Sequence, residues 1–168
     1  MPDKETIAKA KRKLRAGERP TSAAGEIVRE EMHHIREGKH GARSPEQAIA
    51  IGLSKARRAG IPLRPPAKGA AKRRTRESAE RAYEVGQGIR APRAPSKRRG
   101  RAVEAALKRE PHGTASHRAL SAHAHRAASR RTSAARSAAA RLAATTQGAS
   151  GRRAAARKAA RTRARHAR

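Results

Sequence analysis

The chain has 168 residues, no cysteine, one aromatic residue (Tyr83), and a formal net charge of +30 from 43 lysines and arginines against 13 acids. Such a composition excludes a disulfide framework, a zinc knuckle, a thiol nucleophile and the aromatic platforms on which unpaired bases stack. No apolar run approaches the roughly 18 residues of a membrane span, so a soluble, cytoplasmic protein is expected, with a polyanion offsetting its self-repulsion.

Large aliphatic residues are concentrated in the first 64 positions, where three helices are expected. KETIAKAKRKLRAG carries Ile7 and Leu14 and is stopped by Gly17 and Pro20. TSAAGEIVREEMHHIREG opens at Thr21 or Ser22, closes at Gly38, and presents Ala24, Ile27, Val28, Met32 and Ile35 on one face. The run EQAIAIGLSKARRAGIPL then poses a choice, because Ile49, Ile51 and Leu53 alternate as in a strand. Ser44 as N-cap, Pro45 at the first helical position and Gln47 in a capping box argue otherwise. Gly60, Ile61 and Pro62 supply the matching stop. A helix is expected, with Ala48, Ile49, Gly52, Leu53 and Ala56 facing the preceding one across a short connector. Gly52 lets the two backbones approach. Ile51 lies off this stripe, so it contacts the first helix or forms a self-association surface.

Residues 65–74, with Pro65, Pro66 and Gly69, read as a linker. Residues 75–110 read as two short amphipathic helices, TRESAERAYEVG and RAVEAALKRE, around the extended segment RAPRAPSKRRGR. There Arg99-Gly100-Arg101 resembles the core of minor-groove AT-hooks, except that Ala102 replaces the usual proline. From 111 to 168 the chain is alanine, arginine, serine and histidine with no acid after Glu110. Without an apolar face this basic arm is expected to be largely disordered or conditionally helical. The fold class is thus all-α: a helical hairpin with a short first helix, then a cationic arm.

The stretch GKHGARSPEQAIAIGLSKARRAG resembles a bacterial family of small basic proteins of unknown function with the shared core HGxRSxxQAIAIGLSxARRAG, here His40 to Gly60. Some members of that family are labelled DNA-binding or plasmid-stabilisation proteins. The arm is similar in composition to linker-histone-like tails of bacteria. The resemblance implies a nucleoid-associated, histone-like role.

No enzyme is expected, because no phosphate-cradling glycine loop or Ser-His-Asp order stands out, and no cofactor is implied. Glu30 with His34 and His33 with Glu37 have helical ligand spacing, but without an HExxH signature they read as polar side chains on the solvent face of a helix rather than a metal site. The expected function is binding of duplex DNA through phosphates, with RNA or ribosome association as the alternative and a protein-docking module with a cationic tail as the third. The candidate DNA-binding residues are Lys97, Arg98, Arg99, Gly100, Arg101, Arg130, Arg131, Arg136, Arg141, Arg152, Arg153, Arg157, Lys158, Arg161, Arg163 and Arg165.

Overall fold

The computed structural model describes residues 1–94 and 96–166, without the side chains of Gln147 and His166. The chain is all-helical: α1 (Lys4–Arg15), α2 (Pro20–Arg36), α3 (Pro45–Arg58), α4 (Arg73–Gly86), α5 (Lys97–Arg109), α6 (His117–Ser129) and α7 (Ser133–His166), with a single 3₁₀ turn at Gly113–Ala115. It divides into two compact units, Met1–His123 and Ala124–Arg168.

Local chemistry sets the ends of α3. Ser44 Oγ accepts from Gln47 N at 3.3 Å, and Pro45 occupies the first turn. Gln47 Oε1 accepts from Arg43 N at 2.8 Å, one residue earlier than a capping box requires. At the other end Gly60 takes φ +85°, the Ile61 amide donates to Ala56 O at 3.2 Å, and Ile61 is fully buried. That is a Schellman stop with its hydrophobic contact. The start of α2 differs from expectation. Neither Thr21 nor Ser22 caps it; Pro20 begins the helix after an extended Arg19. Proline lacks only an N–H that the first turn would leave unpaired anyway.

Helices α2 and α3 meet where Gly52 lies against Val28. A Cβ on Gly52 would stand 2.9 Å from the Val28 Cα, a distance that forces the backbones apart. One apolar cluster joins Ala24 and Ile27 to Ala56 and Ile61, together with Ala10 of α1. A second joins Met32 and Ile35 to Ala42, Ala48 and Ala115. The early part of α2 thus pairs with the late part of α3 and the reverse, so the two helices run in opposite senses. Ile49 and Leu53 are half-buried at the cluster edges, and Ile51 is half-buried in neither cluster. Lys13 of α1 reaches Glu26 of α2 at 2.8 Å, and this bond holds the Glu26 carboxyl below its usual range.

A buried carboxylate lies beside the hairpin. Glu31 is 1% exposed; Lys55 Nζ donates to its Oε2 at 2.5 Å, and His40 Nε2 lies 3.2 Å from its Oε1. The residues 107–123, expected to fall outside the helical hairpin, close over its end. The Gly41 amide donates to Leu107 O at 2.8 Å, the Ala42 amide to Pro111 O at 3.2 Å, and Arg36 Nε to Ala115 O at 2.7 Å. A Cβ at Gly41 would collide with the Glu110 carbonyl. Ala115 is fully buried, and Leu120 packs on the same cluster. The folded unit therefore runs through residue 123 rather than stopping near 64, because the hairpin's second cluster is incomplete without Ala115.

Two expectations are corrected. The segment around Arg99-Gly100-Arg101 is not extended but lies inside α5. The helix-forming run Ala102–Leu107 propagates back across Gly100, whose cost in a helix is only about 1 kcal/mol. The arm, expected to be largely disordered or conditionally helical, is helical in α6 and α7, so its disorder is not borne out. Alanine is the strongest helix former, and in Ser133–Gln147 only Arg136 and Arg141 are charged, so little repulsion opposes it. Gly148, at φ 63° and ψ 179°, breaks α7, whereas Gly151 stays helical.

Candidate nucleic-acid interface

The predicted cations fall into two groups on different units. Lys97, Arg98, Arg99, Gly100 and Arg101 occupy the first five positions of α5, all exposed. Residues two apart on a helix point about 200° apart, so Arg99 and Arg101 cannot enter one minor groove together. That geometry removes the AT-hook reading. Lys97, Arg101 and Lys108 instead share a face by spacing, and Lys108 is paired with Glu104 at 2.9 Å.

The second group lies on the arm. Arg130 and Arg131 sit in the turn between α6 and α7, Arg136 and Arg141 on α7 before the break, and Arg152, Arg153, Arg157, Lys158, Arg161, Arg163 and Arg165 after it. All are exposed, and among the described residues none is within salt-bridge distance of a carboxylate. Several arginines fold back on backbone carbonyls instead. Arg136 Nη1 donates to Arg131 O at 3.3 Å, and Arg152 Nη1 to Ala144 O at 2.5 Å, the latter serving a carbonyl near the break.

Other cations were not singled out by sequence. The run KRRTR at 72–76 opens α4, as dense a signal as the SKRRGR that drew attention. With α3 it forms an open hollow of about 440 Å³, to which Lys72 and Arg74 contribute. A second hollow, about 470 Å³, is lined by Arg58, Arg81, Arg90 and Arg93. Arg90 is held by Glu84 at 2.6 Å. Arg57 is excluded from any surface role: it is 7% exposed and donates to Leu63 O at 3.1 Å, tying the chain after α3 back to that helix.

The stretch His40–Gly60 is spent on structure. His40 approaches Glu31, Gly41 and Gly52 permit backbone contacts, Ser44 and Gln47 organise the start of α3, and Arg57 and Gly60 organise its end. Those side chains form no reactive constellation. Among the described residues no helix is long and apolar enough to cross a membrane. No protein-family model, curated protein or solved structure matches the chain.

Proposed function

We propose that the chain binds duplex DNA through its phosphates, with little sequence preference, and compacts it as a nucleoid-associated, histone-like protein of the bacterial cytoplasm. The observation that carries this reading is the arm beyond Gly148. Seven cations lie between Arg152 and Arg165 with no acid among them. On a helix that span is roughly 20 Å, and duplex DNA carries one charge per about 1.7 Å of axis. Each phosphate neutralised releases a counterion, which makes binding strong at low salt and blind to base sequence. The helical form favours DNA over RNA, since the B-form major groove admits an α-helix and the A-form major groove is too narrow for side chains to read. Self-association of the first unit, for which half-buried Ile51 is the candidate, supplies the bridging that compaction requires.

The test is the affinity of the full chain for a short duplex, measured by fluorescence anisotropy between 50 and 200 mM salt. A loss of roughly 10³-fold or more is expected, with a scrambled duplex behaving alike. A flat salt response, a strong preference for one sequence, or tighter binding to duplex RNA of equal length overturns the proposal.

A further inference from the structure

In a chain with more than three cations per acid, a buried carboxylate oxygen without a cation is an anomaly. On α2 and at its C-cap every other acid meets a lysine or arginine. Glu26 meets Lys13 at 2.8 Å and Arg29 at 2.7 Å, Glu31 meets Lys55, and Glu37 meets Lys39 at 3.1 Å. Glu30 meets no lysine or arginine among the described residues. Its side chain is only 10% exposed, and its Oε2 is buried with no hydrogen-bond partner. Leaving such a group desolvated and uncompensated is costly.

What surrounds Glu30 is a ligand set. His34, one turn further along α2, places Nε2 3.8 Å from Glu30 Oε1. Asp3 arrives from the start of α1, where its own amide donates to Glu30 Oε1 at 3.0 Å. Asp3 is the N-cap of α1, yet its carboxylate makes no capping bond, so its oxygens are uncommitted. One ligand atom from each of Asp3, Glu30 and His34 lies within 4.8 Å of the others. Metal–ligand bonds of about 2.0–2.2 Å in tetrahedral array need separations of roughly 3.4 Å, a closure within reach of side-chain rotation. The adjoining hollow, about 330 Å³, is open to solvent and leaves room for a water as fourth ligand. Lys9, Arg29 and Lys39 also line it, but Arg29 and Lys39 are engaged by Glu26 and Glu37, and Lys9 is outside salt-bridge range of Glu30.

We infer that Asp3, Glu30 and His34 bind a divalent transition-metal ion of the zinc class, which clips the start of α1 to α2. An imidazole with two carboxylates suits such an ion, whereas magnesium and calcium prefer all-oxygen shells. The ion supplies the positive charge that Glu30 lacks. This inference is independent of DNA binding.

The experiment is calorimetric titration of the full chain, stripped with a chelator, with zinc chloride and in parallel with magnesium chloride, followed by thermal melting with and without zinc. One zinc per chain is expected, with affinity reduced at least about tenfold by Glu30→Gln and by His34→Gln and unchanged by His33→Gln. Zinc should raise the melting temperature of the wild type and not of those two variants. Should Glu30→Gln fail to fold, Asp3→Asn replaces it, because that exposed side chain makes no bond. Zinc binding equal in wild type, Asp3→Asn and His34→Gln would assign the ion to other histidines and overturn the inference. Absence of a one-to-one step, or magnesium binding as tightly as zinc, would overturn it too.

Discussion

Alanine does opposite work in the two units. In Met1–His123 nine of the thirteen buried apolar residues among those described are alanines, from Ala10 to Ala115. They are buried because Gly52, Gly41 and neighbouring small residues let backbones come close enough for a methyl group to fill the gap. In Ala124–Arg168 the alanines are nearly all exposed, and they contribute only helix propensity. One residue type thus builds a core where backbones converge and a bare rod where nothing faces it. Arginine divides by reach: Arg57 and Arg36 tie separate segments of the first unit together, while Arg136, Arg152 and Arg163 of the arm bond only to carbonyls within eight residues and stay exposed. The first unit is held by packing, the second by local propensity alone.

The comparison is broken most forcefully by replacing the seven cations from Arg152 to Arg165 with glutamine. Near 0.1 M salt each released counterion is worth roughly a factor of eight, so if half engage phosphates, duplex affinity should fall at least about 10³-fold. The melting transition of the first unit should not move. A shift of that transition would mean the arm contributes to its folding. Next in size is Glu31→Ala, which leaves Lys55 without its buried partner. A loss of about 3 kcal/mol is expected, at the low end for a broken buried pair because Lys55 keeps some access to water. Urea unfolding followed by circular dichroism reads it, and DNA affinity at fixed salt should be unchanged. Leu53→Ala should cost about 2 kcal/mol, at the low end for such truncations because Leu53 is half-buried. Gly148→Ala should have no effect on unit one, yet raise the arm's helical signal by healing the break, worth about 1 kcal/mol in propensity.

The smallest expected effect is on acid stability. The Glu46 carboxyl is held down to about 2 by backbone N–H donation at the start of α3, by the Ser44 hydroxyl and by His123. Its ionised form therefore favours the folded state above its ordinary value of 4.5, and this contribution is lost as pH falls from there toward 2. Glu46→Gln should flatten the loss of stability over that window. An unchanged acid midpoint would show that the exposed carboxylate contributes nothing measurable.

Much of this was readable in the residues. The ends of α3, the facing stripes of α2 and α3 and the close approach at Gly52 follow from capping chemistry and periodicity, which are local. The contacts that escaped are between backbones or far apart in sequence. The bond from the Gly41 amide to Leu107 O has no side-chain signature, and neither does the Arg36 bond to Ala115 O. Ala115 looks like any other alanine of the basic region until its slot is seen. Glu30 and His34 were visible as a helical pair, but Asp3 comes from 27 residues away, and spacing carries no trace of it. Disorder of the arm does not follow from its lack of an apolar face, because alanine's propensity suffices for helix, and Arg99-Gly100-Arg101 is not extended because the helix-forming run after it propagates back through Gly100.

Closure of the hairpin by Ala115 and Leu120 sets an order of events during synthesis. The hairpin's second cluster has a vacancy until those residues leave the ribosome, and at about 5–20 residues per second the stretch from Leu63 to Ala115 takes roughly 3–10 s to make. Through that interval Met32, Ile35 and Ala48 have no lid, and a chaperone that holds apolar surface has its window. Once Leu120 is in place the window shuts. The acid-free arm from Arg126 to Arg165 emerges only afterwards, so the second cluster can close before the last of the cations is made.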